Sequence, residues 1–315
     1  MKRKFKSILC LALSAVILNG ANTTVFAQEN TLEYEETYLY VDFANLDISK
    51  EQDEWTIIPK NNLSRSANIS AESNIDKLET LIEEFPDVEE NLFSEISENK
   101  ELIGVSFTEV PLILVNDHYE RIPVNTNSNV RYNNEESDQN GKGKFLLYTK
   151  ITGGTTAVNG GYKYYASTFG SWSENNILGN SNYPASGDDF VFQTSPSTFS
   201  RISDSMSAKY DNAPITGVSG DDYWRENGDS TYVRYGIADD PSGYRQNKSF
   251  TLTTTSAGPQ STTTRHISSY YVHTWAEMSV SASISASSKK SVTLTITPSI
   301  TEKSWQVYNY VPFSF

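Results

Sequence analysis

The chain has 315 residues, 37% of them hydrophobic, with 39 acidic and 25 basic side chains, a formal net charge of −14 and one cysteine. That length supports one large or two smaller cores. The acidic balance argues against a phosphate-backbone ligand, which needs a basic face, so nucleic acid is not an expected partner.

The N-terminus reads as a signal peptide over residues 1–27. Lys2, Arg3, Lys4 and Lys6 form a basic start, Ile8 to Leu18 an apolar run, and Val25-Phe26-Ala27 a cleavage site. The apolar run is too short for a stable membrane span. Export to the extracellular side follows, a habit that suits Gram-positive bacteria. Cys10 leaves with the signal, so the mature chain has no thiol for a disulfide, an iron–sulfur cluster or a cysteine-bound zinc. No sorting motif or apolar tail is seen at the C-terminal end, so covalent anchoring is not expected.

Charge divides the rest. Residues 28–140 carry 26 acids and 7 bases, residues 141–315 carry 13 and 14. Such asymmetry predicts two regions of different kind. The first, 28–124, reads as a small acidic α+β domain. Tyr38–Phe43 and Trp55–Ile58 have strand character. Ser73 begins a capping-box-like start, followed by Ile75, Leu78, Leu81, Ile82 and Phe85 on one helical face. Pro86 ends that helix, and Asp87 and Glu90 begin a second with Val88, Leu92 and Ile96 along it. The acids Glu83, Glu84, Glu89, Glu90, Glu95 and Glu98 are expected to be a solvated helix face. Leu102–Phe107, Pro111–Val115 and Tyr119–Val124 follow as strands. Residues 125–144 are polar and read as a linker, open to proteases, so that 28–124 could be a propeptide.

Residues 145–315 predict an all-β sandwich. Phe145–Ile151, Tyr162–Phe169, Phe190–Thr194, Thr231–Ile237 and Phe250–Thr255 are short apolar or alternating runs bounded by turn residues. From Met278 to Thr297 apolar residues alternate with Ser or Thr on either side of Lys289-Lys290. Period two predicts a β-hairpin with one apolar and one hydroxyl face. Pro312, near the end, fits an edge strand. No internal repeat is present.

Lys142-Gly143-Lys144-Phe145-Leu146-Leu147-Tyr148-Thr149, Pro184-Ala185-Ser186-Gly187-Asp188-Asp189-Phe190 and Tyr271-Val272-His273-Thr274-Trp275 together resemble a group of small secreted β-rich proteins of Gram-positive bacteria. The resemblance covers the second region alone and implies location and fold, not a mechanism.

For chemistry, Asp221, Asp222, Glu226 and Asp229, with Asn227, crowd oxygen ligands that a Ca²⁺ ion favours, although the spacing is not that of a helix–loop–helix site and Asp beside Gly is also ordinary turn chemistry. His118, His266 and His273 have no metal-ligand neighbours at regular spacing. His273 is expected as a packed neighbour of Tyr271 and Trp275. No nucleophile or zinc-protease motif is present. No catalytic residue is assigned, and no cofactor beyond Ca²⁺. Tyr183, Tyr223, Trp224 and Tyr244 lie in Gly/Pro/Asp-rich segments, and loop aromatics suit stacking on sugar rings or docking on a partner. The function expected is non-catalytic binding of an extracellular glycan or protein. The competing classes are a secreted hydrolase and a pore-former, in which the 278–297 hairpin would meet a membrane.

Overall fold

A computed structural model of the chain describes residues 34–51, 54–61, 63–93, 101–115, 118–122, 142–153, 162–173, 189–196, 198–210, 223–228, 232–237, 247–259, 264–274, 280–288, 291–298 and 304–314. The expected signal segment 1–27 lies outside them, as does most of the expected linker. In chain order the first elements are strands β1 (Thr37–Asp42), β2 (Leu46–Glu51) and β3 (Glu54–Pro59), then helices α1 (Arg65–Glu84) and α2 (Asp87–Phe93), then strands β4 (Glu101–Val115) and β5 (His118–Arg121). Next come β6 (Lys142–Gly153), β7 (Tyr162–Trp172), β8 (Asp189–Thr194), β9 (Ser200–Tyr210), β10 (Tyr223–Gly228), β11 (Tyr232–Ile237) and β12 (Asn247–Gly258). The last are β13 (Arg265–Thr274), β14 (Val280–Ser288), β15 (Ser291–Pro298) and β16 (Ser304–Phe313).

Seven strands form one antiparallel sheet in the order β1-β4-β6-β7-β12-β9, with β5 also on β4. Five form a second, β10-β11-β8-β13-β16. The pairs β2–β3 and β14–β15 are two-stranded ribbons. The division expected at 125–144 therefore falls between two strands of one sheet: β4 and β6 pair from Glu101↔Gly153 to Ile113↔Lys142, and Leu32–Phe315 is one compact unit. The polar stretch was legible as a loop. Which strands pair across a loop is a long-range choice that composition does not carry.

The seven-stranded sheet is the middle layer, and β6 shows why. Phe145-Leu146-Leu147-Tyr148 is apolar on both alternations, the mark of a strand buried on both faces. Leu146 and Tyr148 join Leu78, Leu81, Phe85, Val88 and Leu92 of the helices in one core. Phe145 and Leu147 join Val191, Val233, Tyr271, Trp305 and Val307 of the other sheet in a second. A third, with Ile151, Tyr164, Phe199, Ile267, Val311 and Phe313, fills the far end between the sheets.

Between those two inter-sheet cores runs a buried polar band. Ser106 donates to Asn309 Oδ1 at 2.7 Å, and Asn309 Nδ2 donates to Thr108 at 3.1 Å. Thr149 contacts Ser269 at 2.7 Å and Thr168 at 3.0 Å. Gln193 Nε2 donates to Thr168 at 2.8 Å and to the Ala166 carbonyl at 3.2 Å, while Thr254 donates to Gln193 Oε1. At the β9–β10 side Asp204 accepts from Tyr235 at 2.6 Å and from Arg225 at 3.0 Å. Buried polar groups are tolerated only when paired, so this ladder favours one register of sheet on sheet.

α1 starts earlier than the sequence predicts. Ser64 is the cap, its hydroxyl accepting from the Ala67 N–H at 3.3 Å, and Ser73 lies mid-helix. The helix ends at Glu84 because Pro86 pushes Phe85 out of the α region. Ile75, Leu78 and Leu81 are buried as predicted; Glu95, Ile96 and Glu98 lie outside the described residues. Glu84 is not part of a solvated face: its carboxylate binds Lys144 Nζ at 2.7 Å, and Glu109 binds the same group at 3.2 Å. Burial pulls the Lys144 amine down, but the two carboxylates outweigh it and hold it above its ordinary value. The two strands expected at 102–115 are one, β4. Pro111 interrupts no ladder on its outer side, since β1 pairs only as far as Glu109 and β5 begins opposite Leu112. Pro312 sits on edge strand β16, as expected.

The β14–β15 hairpin forms where period two places it. Its register pairs Ala282↔Ile296, Ile284↔Leu294 and Ala286↔Val292, and alternates them with Ser283↔Thr295 and Ser285↔Thr293. Apolar positions thus meet apolar ones and hydroxyl positions meet hydroxyl ones. The side chains along it lie outside the described part of the structure.

Candidate binding surface

Two clusters stand out from the packing. One is closed. Asp189, at the start of β8, is wholly buried. Its carboxylate accepts from the Tyr271 hydroxyl at 2.6 Å, from His273 Nδ1 at 2.9 Å and from the Thr274 N–H at 3.4 Å. A carboxylate only accepts, so Nδ1 is assigned as the protonated ring nitrogen. The imidazole packs against Trp172 and Trp305, at 5.4 and 5.1 Å between ring centres. His273 is thus the packed neighbour of Tyr271 that strand alternation predicts; Trp275 lies outside the described residues. Asp189 was not a candidate residue: it follows Ser186-Gly187-Asp188, and Asp beside Gly is ordinary turn chemistry. The signal available was its position directly ahead of Phe190-Val191-Phe192, which makes it the first residue of a buried strand. With nine-tenths of both side chains out of water, this pair ties β8 to the end of β13.

The other cluster is open. β1 and β16 are edge strands of different sheets and meet at a seam. Tyr38 donates to the Tyr310 carbonyl at 2.9 Å, and Tyr40 to the Pro312 carbonyl at 3.1 Å. Arg121 closes the same seam, donating to the Gln306 carbonyl at 2.7 Å and to Glu36 at 2.8 Å while lying 4.7 Å from the Tyr34 ring. Along the seam runs a row of tyrosines. Tyr270 and Tyr308 are cross-strand partners with ring centres 4.8 Å apart. Tyr308 and Tyr310 are 5.9 Å apart, and Tyr310 stacks on Tyr38 at 4.9 Å and 10°. His266 adjoins Tyr310 at 5.8 Å. Tyr308 is 41% exposed and Tyr38 39%.

The row follows from alternation in β16. Trp305, Val307, Asn309, Val311 and Phe313 point between the sheets, which leaves Tyr308 and Tyr310 on the outer side. Burial of the phenols, with neighbouring Tyr310 adding to it at Tyr38, pushes the hydroxyls of Tyr38 and Tyr308 above their ordinary value. They remain neutral donors and acceptors across physiological pH. Burial also lowers the pKa of His266.

The sequence placed binding elsewhere. Tyr183, Tyr244, Asp221, Asp222 and Asp229 lie outside the described residues. Tyr223, Trp224 and Glu226, expected in a loop, fall in edge strand β10, paired to β11 as Tyr223↔Ile237 and Trp224↔Gly236. The Asp and Gly around them hid a strand that a neighbouring edge stabilises. In the sequence the only sign of the row at the seam is the pair Tyr308 and Tyr310, two residues apart near the C-terminal end. Among the described residues no group of three or more His, Cys, Asp or Glu could hold a metal ion. A small cleft of about 40 Å³ lined by Asp87, Asn91, Tyr148 and Ser171 has room only for something the size of a water. No helix among the described residues is long and apolar enough to cross a membrane.

No protein-family model matches the chain, and no curated protein matches it. Among solved structures it is weakly similar to the pilus backbone RrgB from Streptococcus pneumoniae, at 10% identity and a TM-score of 0.21, over 51% of this chain and 48% of that one. The full-length major pilin RrgB from the same organism matches at 12% identity and 0.21, over 51% and 35%. A structure titled as manganese lipoxygenase of Gaeumannomyces graminis with a partial structure of zonadhesin of Komagataella pastoris matches at 8% and 0.18, over 55% and 67%. The chain thus spans half or less of the pilin structures it matches. At such TM-scores these likenesses carry no inference about fold or function.

Proposed function

We propose that the chain is an exported, non-catalytic binding protein whose tyrosine row at the β1–β16 seam docks a neutral extracellular glycan. The observation that carries this reading is the contiguity of Tyr308, Tyr310 and Tyr38, rings 5.9 and 4.9 Å apart with two of the three more than a third exposed. Phenol rings offer an apolar body and a polar tip, the pairing that a sugar ring with its C–H faces and hydroxyls complements. The net charge of −14 disfavours anionic polymers and supports a neutral one. The strand scaffold fixes the row in advance, which lowers the entropy lost on binding.

The test is a screen of the exported chain against wall, plant and mucin glycans, followed by Tyr308→Ala and Tyr310→Ala. A drop of about tenfold or more in affinity for each, worth about 1.4 kcal/mol, is expected with the circular dichroism spectrum unchanged. No binding to any glycan, or binding indifferent to both substitutions, sinks the reading; capture of a protein ligand through the same tyrosines would replace it. Calcium at Asp221, Asp222, Glu226 and Asp229 belongs to the same proposal, and a melting curve that does not shift between Ca²⁺ and chelator removes it.

One observation favours a second reading. The β14–β15 ribbon pairs with neither large sheet, and its strands of 9 and 8 residues approach the roughly 9–11 residues of a membrane-spanning strand. Release of dye from liposomes would support insertion; none at high protein concentration dismisses it.

A further inference from the structure

The seam brings phenols together from opposite ends of the chain. Tyr38 of β1 and Tyr310 of β16 are 272 residues apart in sequence, yet their ring centres are 4.9 Å apart and the rings lie within 10° of parallel. Burial first, and then the Tyr310 phenol beside it, hold the Tyr38 hydroxyl above its ordinary pKa, so the oxygen-bearing ends of the two rings are neighbours as well as their faces. Tyr38 is 39% exposed, and Tyr308, next in the row at 5.9 Å from Tyr310, is 41% exposed. The pair is therefore within reach of an oxidant in solution.

A phenol that loses a hydrogen atom shares the unpaired electron between its oxygen and the two ring carbons beside it. Two such radicals in contact join through those carbons. Groups held together react far faster than the same groups meeting by diffusion. Other pairs in the row are worse placed. Tyr270 and Tyr308 are 4.8 Å apart, but the rings are inclined at 44° and Tyr270 is 4% exposed. Tyr308 and Tyr310 are farther apart and belong to one strand, so joining them would tie nothing new. The Tyr38–Tyr310 pair instead spans two sheets, which meet here through bonds from Tyr38, Tyr40 and Arg121 to carbonyls of β16. Cys10 is the one cysteine of the chain, so residues 28–315 can form no disulfide of their own.

We propose that Tyr38 and Tyr310 are a paired modification site, which a peroxide and a haem peroxidase couple into a dityrosine fastening the edge of one sheet to the edge of the other. Each phenol gives up one hydrogen atom from its oxygen. One C–C bond forms between the ring carbons beside the two oxygens, and the hydrogens those carbons carried move to the oxygens and restore both phenols. The peroxide takes up the two hydrogen atoms and leaves as two waters. A cross-link that closes so long a loop restricts the unfolded chain and so stabilises the folded one. None of this rests on the glycan reading.

The test treats the whole chain, dilute, with hydrogen peroxide and a haem peroxidase, then digests it and maps the products by mass spectrometry. A segment carrying Tyr38 joined to one carrying Tyr310, lighter than their sum by two hydrogen atoms and from a chain that still runs as a monomer, is expected. Tyr38→Phe and Tyr310→Phe keep both rings and should each abolish that product, whereas Tyr162→Phe should leave it. Coupling confined to other tyrosines, coupling only between separate chains, or a product that survives either Phe substitution at the pair overturns the site. The linked chain is also expected to melt several degrees above Tyr310→Phe treated in the same way, a control that carries every other oxidation. A link that forms without raising the Tm overturns the fastening role.

Discussion

A single carboxylate, Asp189, receives a phenol, an imidazole and a backbone N–H in a fully buried site. Removing it takes an acceptor from three buried donors, and breaking such a group by deleting one partner costs about 3 kcal/mol. Asp189→Ala should therefore shift the urea midpoint strongly downward, and a shift worth under about 1 kcal/mol would show that the cluster is not closed. Gly170 is a second such position. A Cβ there would come within 2.1 Å of the Phe250 ring and 2.9 Å of Phe145, so Gly170→Ala should destabilise by about 1–3 kcal/mol through overpacking. His266 supplies a pH dependence. Burial depresses its folded pKa, so the unfolded chain takes up the proton more readily. Stability should be level above the ordinary value of about 6.5 and fall as pH drops through it. Urea unfolding at pH 5.5 and 7.5 checks this: His266→Gln should shrink the difference between the two.

Elements are joined chiefly by what they hide. The polar band across the sandwich is centred on Gln193, which engages Thr168, Thr254 and the Ala166 carbonyl. Gln193→Leu leaves those hydroxyls unpaired and should cost about 2–3 kcal/mol. Adding Thr168→Val and Thr254→Val replaces the partners with apolar groups of like shape and should restore much of the loss, read from the same unfolding curves. If the triple variant is worse than the sum of its parts, the band contributes favourable pairing rather than register alone. The helices are held by similar means. Lys150, buried against Phe169, donates to the Asn91 carbonyl in the last turn of α2, where a cation favours the negative end of the helix. Asn91 in turn donates to the Tyr148 hydroxyl at 2.8 Å.

At the scale of the whole molecule the decisive feature is that β4 and β6 are neighbours. A protease that cuts within 125–140 should leave two pieces that elute together in size-exclusion chromatography and part only in denaturant. Two pieces that separate in native buffer would return the chain to two domains. The same pairing bears on any propeptide role for 28–124, since shedding that piece would strip β1 and β4 from the sheet and bare Leu146 and Tyr148.

Alternation and turn chemistry alone determined most of the strands, the two helices, the hairpin at 280–298, the edge position of Pro312 and the packed state of His273. Period and punctuation are local properties, written in consecutive residues. Local signals also failed in identifiable ways. The acids and glycines around Tyr223 and Trp224 masked a strand held by its neighbour β11, and Ser73 mimicked a cap that Ser64 provides one helix-half earlier. Tertiary structure decided the rest: that one sheet takes strands from both sides of the polar stretch, that Asp189 is buried rather than turned outward, and that Tyr38 meets Tyr310 from 272 residues away. Such pairings are selected by how whole faces fit when loops close, and the free energy of that fit belongs to no single stretch of chain.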